Sequence, residues 1–225
     1  MTKADAPGAL RPQPELTTKV QPAQQRAADT FERILQAAAL TLDEVGIERL
    51  STNLVCKRAG VTPPALYRYF PNKYALLSEL GQRLMERQNA CVERWMCPAV
   101  FTQDAPALAR ALEGLLLDTF EVTRRTEAGI WIMRALRAVP ALQQVRLSSH
   151  AAVTESQARL LAGAFPAAEP SELRLASRLV VEMIYASIEM LFDEPLDPKA
   201  VARMLGGMMA SQLDRLAAAE RRQGA

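Results

Sequence analysis

The stretch from Leu50 to Lys73, LSTNLVCKRAGVTPPALYRYFPNK, constrains the fold most, because its turn-forming residues mark two helix boundaries within a few positions. Ser51 is placed to cap a short first helix, and Gly60 ends it, since glycine takes the left-handed turn conformation cheaply. Thr62 to Pro64 open a second helix, with the threonine as its cap and both prolines in its first turn, where a missing N–H costs little. The stretch therefore predicts two short helices joined by a tight turn.

A helical spacing of about 100° per residue separates an inward face from an outward face in both helices. Leu66 and Phe70 face inward in the second helix, and Val55 and Ala59 do so in the first. The outward faces are polar, small or basic, and the segment 49–73 has five Lys or Arg and no Asp or Glu. A polyanion would meet attraction along this surface. On charge alone, a solvated basic face on an ordinary helical hairpin is the alternative.

The same residues carry a resemblance to a known family. The segment RAGVTPPALYRYFPNKYALLSEL closely resembles the DNA-binding region of the tetracycline-repressor (TetR) family of bacterial transcription regulators, with its alanine-glycine-valine turn, its leucine-tyrosine-x-x-phenylalanine recognition helix and a following lysine. The upstream run RILQAAALTLDEVG is similar to the family's first helix. The resemblance covers roughly Arg26 to Arg87, and the matching positions are Ala59, Gly60, Val61, Leu66, Tyr67, Tyr69, Phe70, Lys73, Leu76 and Leu77.

The resemblance implies roles for individual side chains. Family members contact phosphates at the positions of Thr52, Tyr67, Tyr69 and Lys73. They meet base edges or the adjoining backbone at the positions of Asn53, Pro63, Pro64, Ala65 and Arg68. Phosphate contacts set the register on a duplex, whereas base contacts supply discrimination. Pro64 and Ala65 stand where the family often has glycine and threonine, so we expect apolar contact with thymine methyls, readout by Arg68 or Asn53, and recognition of DNA shape.

The whole chain predicts an all-α protein of two domains, as its 225 residues and 49% hydrophobic content allow. Residues 1–25, with four prolines and few large apolar groups, predict a disordered N-terminal arm. Its basic residues would reach a minor groove, or the arm is a passive tail. Residues 26–87 predict a TetR-type helix-turn-helix DNA-binding domain, whose first helix ends at Gly46. A long helix from Lys73 to about Trp95 joins it to residues 98–225, a helical effector-binding and dimerisation domain.

Two features of the second domain point to partners. The last two helices are apolar over more than one face, and Ala202, Gly206, Gly207 and Ala210 are small enough for close helix approach. These features and the resemblance predict a homodimer through a four-helix interface. The candidate contacts for a small-molecule effector are Phe120, Trp131, Met133, His150, Met183 and Tyr185. Plain core packing is the alternative for each, and the expectation of a pocket rests mainly on the resemblance.

Other chemistries lack their sequence signatures. There is no G-x-S-x-G, no phosphate-cradling glycine loop and no paired metal-ligand motif, so we expect neither an enzyme nor a bound metal or cofactor. Cys56, Cys91 and Cys97 lack CxxC spacing and are expected to be reduced thiols, with a redox-sensing Cys56 as the alternative. No apolar run approaches the roughly 20 residues that span a bilayer, and no signal-peptide core follows the N-terminus, which predicts a cytoplasmic protein without a membrane partner.

Together these features predict a dimeric DNA-binding transcription regulator. By family habit it is a repressor, released from a near-palindromic double-stranded DNA operator by a small apolar or amphipathic ligand. The net charge of only +2 confines the basic character to the local surface around the two short helices. An effector-independent architectural DNA-binding protein is the alternative, since it would keep the first domain and need no pocket.

Overall fold

The structure, a computed structural model, describes residues 13–19 and 25–223. Its α-helices are α1 (Gln25–Arg49), α2 (Thr52–Ala59), α3 (Pro63–Tyr67), α4 (Lys73–Trp95), α5 (Ala105–Arg125), α6 (Gly129–Ala138), α7 (Gln143–Ala164), α8 (Pro170–Asp193) and α9 (Pro198–Gln223). Short 3₁₀ turns at Pro98–Thr102 and Pro140–Leu142 precede α5 and α7. The described residues contain no strand, which confirms the predicted all-α fold. None of the helices described is long and apolar enough to cross a bilayer.

Helices α1, α2 and α3 and the start of α4 enclose the core of the first domain. Phe31 of α1 stacks on Phe70 with ring centroids 4.8 Å apart. Leu66, Phe70 and Val55 are completely buried, and Ala59 is buried beside them. The inward faces predicted from helical spacing are therefore confirmed. The burial of Leu66 and Phe70 leaves the opposite side of α3 directed outward.

Local sequence signals set the boundaries of the first helices. Gly46, with φ 72° and ψ 177°, breaks the helical geometry of α1 where the prediction ends that helix, and the helix resumes beyond it. The Ser51 hydroxyl accepts the Leu54 N–H at 3.3 Å, and Gly60, with φ 62°, ends α2 in the left-handed conformation. The structure describes Thr62, and its side chain does not form the predicted capping hydrogen bond. Pro63 and Pro64 lie in the first turn of α3, as predicted.

The long helix α4 joins the two domains. Asn72 Oδ1 accepts the N–H of Tyr74 at 2.9 Å and that of Ala75 at 3.0 Å, which caps the helix at its first turn. The 23 residues of α4 extend over about 35 Å. The helix packs against α1 in the first domain and against α5, α6 and α7 in the second. Helix α4 is therefore in contact with both parts of the chain.

In the second domain, α5 contacts α4, α6, α8 and α9, and α7 pairs with α8. Completely buried side chains from α5 and α6 form the centre of this core, among them Leu112, Leu116, Ile132 and Leu136. A proline begins α8, α9 and both 3₁₀ turns, at positions 98, 140, 170 and 198, because proline is tolerated in the first turn of a helix and not in its interior.

The small residues of α9 have a different role from the predicted one. A Cβ added to Gly206 would lie 2.7 Å from the Ala109 carbonyl oxygen of α5. Ala202 and Ala210, one helical turn to either side on the same face, are also buried. A Cβ on Gly207 would instead meet open space. The small residues therefore bring α9 close to α5 of the same chain, and Gly207 alone of the four predicted positions is directed outward.

Residues 13–19, which belong to the predicted disordered arm, lie against the first domain. The Lys19 N–H donates to the Tyr69 carbonyl at 2.9 Å. The Asn72 side-chain amide donates to the Glu15 carbonyl at 2.9 Å. These two bonds tie the segment to the junction of α3 and α4, where the prediction has a free arm. Gln25, the last residue of the predicted arm, begins α1, and residues 1–12 and 20–24 lie outside the described residues.

Candidate nucleic-acid interface and inner cavity

The residues predicted to contact nucleic acid lie mainly on the outer faces of α2 and α3. The exposed ones are Asn53, Pro63, Pro64, Tyr67 and Arg68. The half-buried ones are Thr52, Ala65 and Lys73. The structure therefore brings eight of the nine predicted residues to one outward surface, because the buried faces of the same helices are held by the core.

Three of the predicted phosphate contacts meet at one depression between α2, α3 and α4. The hydroxyl oxygens of Thr52 and Tyr67 lie 3.0 Å apart, which ties α2 to α3. Lys73 Nζ donates to the Leu50 carbonyl at 3.2 Å, so the ammonium group is held beside them. All three side chains line the depression, with Glu48 as an acidic neighbour. Two hydroxyls, an ammonium group and the N-terminus of α4 form a set of donors suited to a phosphate.

Tyr69 is the exception among the predicted contacts. Only 5% of the residue is exposed, and its ring packs edge-on against Phe31 with centroids 5.8 Å apart. The short helix α3 ends at Tyr67, so the chain turns and directs the Tyr69 ring into the core instead of along the outer face. The prediction of Tyr69 as a surface phosphate contact is corrected accordingly.

The basic surface is partly neutralised from outside the segment 49–73. Arg58 of α2 forms an ion pair with Glu44 of α1. Lys57 and Arg68 are exposed on the two short helices. The prediction counted five basic residues in the segment, and the fold adds the carboxylate of Glu44 close to one of them. Attraction for a polyanion is therefore concentrated near the other four: Arg49, Lys57, Arg68 and Lys73.

A family model decides the relationship of this domain. The model for bacterial regulatory proteins of the tetR family matches residues 34–80, which run from α1 through α2, the turn and α3 into α4. Residues 34–80 therefore form a DNA-binding region of the TetR type. The match includes the depression between α2, α3 and α4 and the whole outward surface of the two short helices.

Curated relatives of this chain resemble it over less than half of its length. An uncharacterized HTH-type transcriptional regulator of Mycobacterium tuberculosis is 36% identical over 89 residues, which are 40% of this chain and 45% of the relative. The A-factor receptor protein of Streptomyces griseus is 34% identical over 91 residues, which are 40% of this chain and 29% of the relative. The chain thus spans less than half the length of the curated relatives that it matches.

Two solved structures share the fold over most of the chain. The SmeT–triclosan complex aligns with a TM-score of 0.64 and 20% identity, over 82% of this chain and 91% of that chain. A TetR-family transcriptional regulator from Streptomyces coelicolor aligns with a TM-score of 0.54 and 25% identity, over 83% and 99% respectively. The likeness in fold therefore extends beyond the residues that the family model matches.

The second domain encloses a cavity of about 50 Å³ between α4, α5, α7 and α8. His150 and Tyr185, two of the predicted ligand contacts, line it. Met133 lines a smaller neighbouring cavity of about 10 Å³ that shares His150 and Tyr185. The remaining lining is mostly aliphatic, with Phe101 at one side. The structure thus brings three of the six predicted ligand contacts together.

The other three predicted ligand contacts lie elsewhere. Phe120 packs against Phe192 with ring centroids 5.1 Å apart. The Trp131 ring lies under the Arg134 guanidinium, 5.3 Å from centroid to Cζ. Met183 is half-buried and packs against the core. None of the three is among the residues that line the two cavities, because helical periodicity identifies an inward face but not which inward faces meet.

Sequence reasoning missed the polar groups that α4 and α5 contribute to the cavity. Gln88, only 1% exposed, accepts a hydrogen bond from the Tyr185 hydroxyl at 3.0 Å and donates one to Thr123 Oγ1 at 2.8 Å. Asn89, Thr119, Gln157 and Ser177 are further polar residues in the lining. The position of Gln88 within the apolar stripe of α4 could have identified this polar site, because a buried amide requires hydrogen-bond partners from neighbouring helices.

His150 is the central polar group of the cavity. The residue is 1% exposed, and its ring centroid lies 4.4 Å from that of Tyr185. Nδ1 lies 3.1 Å from Glu182 Oε1, a carboxylate that Arg146 and Arg178 also contact. Burial lowers the pKa of His150 to about 4, although the Glu182 carboxylate acts in the opposite direction. The imidazole is therefore neutral at neutral pH.

The three cysteines are free thiols, as predicted. Cys56 and Cys91 are buried, and burial raises the pKa of both thiols. A thiol with a raised pKa is less reactive, which favours core packing over the redox-sensing alternative for Cys56. Within residues 13–19 and 25–223, no group of three or more His, Cys, Asp or Glu side chains is arranged to hold a metal ion.

Proposed function

We propose that this protein is a DNA-binding transcription regulator of the TetR family, a repressor that a small apolar or amphipathic ligand releases from a near-palindromic operator. The observation that carries the proposal is the convergence of Thr52, Tyr67 and Lys73 beside an exposed α3 surface. The hydroxyls and the ammonium group position the domain on phosphates. Asn53 and Arg68, both exposed, then reach base edges in the major groove.

An exposed apolar face supports a twofold dimer through α8 and α9. Leu175 and Leu179 of α8 are 59% and 52% exposed, and Met204 and Met208 of α9 are 72% and 59% exposed. Each pair is spaced i, i+4, so each forms an apolar stripe on its helix. A second copy of the chain would cover both stripes in a four-helix interface. Two recognition helices would then sit roughly 34 to 36 Å apart, one DNA turn.

The cavity and α4 supply a route from ligand to DNA. Gln88 of α4 is held by Tyr185 of α8 and by Thr123 of α5, so α4 is anchored at the cavity wall. A cavity of about 50 Å³ is too small for a ring-sized molecule and must widen to admit one. A ligand therefore favours a state with α4 displaced, which changes the spacing of the recognition helices.

The relatives agree with a ligand-responsive regulator. One curated relative is named a receptor protein, and one structural neighbour was solved as a complex with triclosan. Their sequences are too distant to transfer a ligand to this chain. They support the proposal that the second domain takes a small molecule.

A selection from random double-stranded oligonucleotides at moderate salt tests the DNA half of the proposal. We expect the purified chain to enrich a near-palindromic sequence. Retention of DNA without any sequence preference would favour the architectural alternative and contradict the repressor. The selection needs no ligand, so its outcome is independent of the cavity.

A further inference from the structure

The electrostatics of the cavity restrict its ligand. Among the described residues that line the cavity there is no Asp, Glu, Lys or Arg. Glu182 and the two arginines that contact it, Arg146 and Arg178, are not among the residues that line this cavity, and Glu182 forms ion pairs with both arginines. A charged ligand would lose its hydration without meeting a counter-charge, which is costly in an apolar enclosure. The cavity therefore suits an uncharged molecule.

The hydrogen-bond donors of the lining are already engaged within the protein. The Tyr185 hydroxyl donates to Gln88 Oε1, and the Gln88 amide donates to Thr123. Thr119 and Ser177 donate to the carbonyl oxygens of the preceding helical turns. The Asn89 amide donates to Ser149 Oγ at 3.1 Å and the Gln157 amide to the Met96 carbonyl at 3.5 Å.

Two buried acceptors of the lining remain without a partner within residues 13–19 and 25–223: His150 Nε2 and Gln157 Oε1. The geometry of His150 determines what Nε2 offers. A carboxylate only accepts hydrogen bonds, so Nδ1 carries the imidazole proton and donates to Glu182 Oε1 at 3.1 Å. In the neutral ring Nε2 is then a bare acceptor. An unpaired acceptor in a buried site is unfavourable until a donor reaches it.

We propose that the cavity binds an uncharged, mainly apolar molecule of about one ring that carries a hydroxyl group, and that His150 Nε2 accepts the hydrogen bond from this hydroxyl. The inference rests on the proposed ligand-responsive function and specifies its ligand. Tyr185, whose ring lies 4.4 Å from that of His150, packs beside the bound ring. Gln157 Oε1 is available to a second donor group.

The cavity is smaller than even a single ring requires. Its volume of about 50 Å³ is smaller than the cavity of about 150 Å³ that accommodates benzene in another protein. Binding therefore requires α4, α7 and α8 to separate slightly, and a larger molecule would require a larger displacement. The hydroxyl adds a directional bond to this apolar contact and distinguishes the ligand from a hydrocarbon of the same shape.

Three matched probes test the proposal by titration calorimetry with the full chain: 4-ethylphenol, its methyl ether 4-ethylanisole, and 4-ethylbenzoate. They share an ethyl-substituted ring and differ in the polar group. We expect the phenol to bind at least about tenfold more tightly than the ether, because only the phenol donates to His150 Nε2. The benzoate should bind most weakly, since it is charged and has no donor.

His150→Phe tests the residue assignment. The phenylalanine ring keeps the packing on Tyr185 but removes the acceptor, so the preference for the phenol over the ether should disappear while the ether retains its affinity. Arg159→Ala, an exposed position on α7, is the matched control and should keep the full preference. The ratio of the phenol affinity to the ether affinity reports on the hydrogen bond. A change in folding stability that weakens both ligands equally leaves this ratio unchanged.

The probe series on the unaltered chain decides the proposal even if His150→Phe does not fold. Equal affinity for phenol and ether, or tightest binding of the benzoate, would overturn the hydroxyl assignment while leaving a ligand cavity in place. Binding of none of the three at millimolar concentration would overturn the ligand class. The operator selection would stand in either case, because it is carried out without ligand.

Discussion

Two contacts within the protein hold the Lys73 side chain in place. Its ammonium group donates to the Leu50 carbonyl and lies 5.6 Å from the centroid of the Tyr74 ring, so it is fixed before any DNA arrives. A preorganised cation loses little conformational entropy on binding a phosphate. Asn53, by contrast, is exposed on α2 and carries no charge. The two residues therefore separate the electrostatic part of DNA binding from base readout.

Lys73→Ala should weaken binding to all DNA sequences, because it removes a phosphate contact. We expect the slope of log affinity against log salt to fall by about one in magnitude, as one fewer counterion is released. Asn53→Ala is the matched comparison: it should leave that slope unchanged, relax base preference and cost about 1–3 kcal/mol. Fluorescence anisotropy over a salt series measures both. Identical slopes for Lys73→Ala and the parent chain would remove the phosphate role.

His150 should make folding stability depend on pH. Its pKa is about 4 in the folded chain and about 6.5 when unfolded. The unfolded state binds more protons between these values, so stability is full above about pH 6.5 and falls as the pH is lowered towards 4, by about 2–3 kcal/mol. The charged groups around the ring are Glu182 and Arg178 of α8, Arg146 of α7 and Arg137 of α6, which pairs with Glu182.

Urea unfolding at a series of pH values measures this loss. Carboxylates elsewhere also respond to acid, so the comparison is with His150→Phe, in which the part of the pH dependence between about 4 and 6.5 that belongs to the imidazole should be absent. Parallel curves for the two proteins would show that His150 does not titrate as a buried neutral group.

At the scale of helices, the contact between α5 and α9 depends on one missing side chain. Gly206 lets the α9 backbone approach the Ala109 carbonyl oxygen, and Ala202 and Ala210 continue the same small face. Backbone atoms cannot move aside as a flexible side chain can, so any added Cβ must separate the helices. This contact also positions α9 so that Met204 and Met208 are directed away from the chain.

Gly206→Ala should destabilise the chain by about 1–3 kcal/mol, because the new methyl group overlaps the Ala109 carbonyl. Gly163→Ala on α7 is the matched control, since a Cβ there meets nothing within 4 Å. It should be neutral or stabilising by up to about 1 kcal/mol through improved helix propensity. Thermal unfolding of both variants provides the measurement. Equal effects of the two substitutions would contradict the close approach of α9 to α5.

At the scale of the whole molecule, α8 and α9 expose large apolar side chains that no other part of the described chain covers. Leu175, Leu179, Met204 and Met208 are each more than half exposed, although large apolar side chains are usually buried. Helices α8 and α9 pack against α5, α7 and each other and make no substantial contact with α3, so a partner on α8 and α9 need not cover α3. Dimerisation and DNA binding are thus compatible, and the two surfaces are tested separately.

Met208→Glu should shift the protein from dimer towards monomer at micromolar concentration, because a buried carboxylate without a partner opposes association. Leu54→Glu, at a residue 41% exposed on α2, is the matched control and should sediment as the parent does. Sedimentation velocity distinguishes the two species. A parent chain that sediments as a monomer at this concentration would exclude the proposed four-helix interface.

The sequence by itself determined the helix boundaries and inward faces, because capping, glycine turns and proline act within a few residues. Ser51 caps α2 and Gly60 ends it where their types predict, and Leu66 and Phe70 are buried as their spacing requires. The nine candidate contacts came from the resemblance to a known family, and eight of them are exposed or half-buried because the inward faces of the same helices are buried. Tyr69 escaped this reasoning because the short α3 ends before it.

Only the tertiary structure decided which inward faces meet. Sequence reasoning grouped Phe120, Trp131 and His150 as ligand contacts, but the packing of α4, α5, α7 and α8 brought only His150 of these three to the cavity. It likewise directed Gly206 towards α5 instead of a partner. The physical reason is that contacts between helices distant in sequence depend on the crossing of whole elements, and neither composition nor the spacing of residues within one helix specifies that crossing.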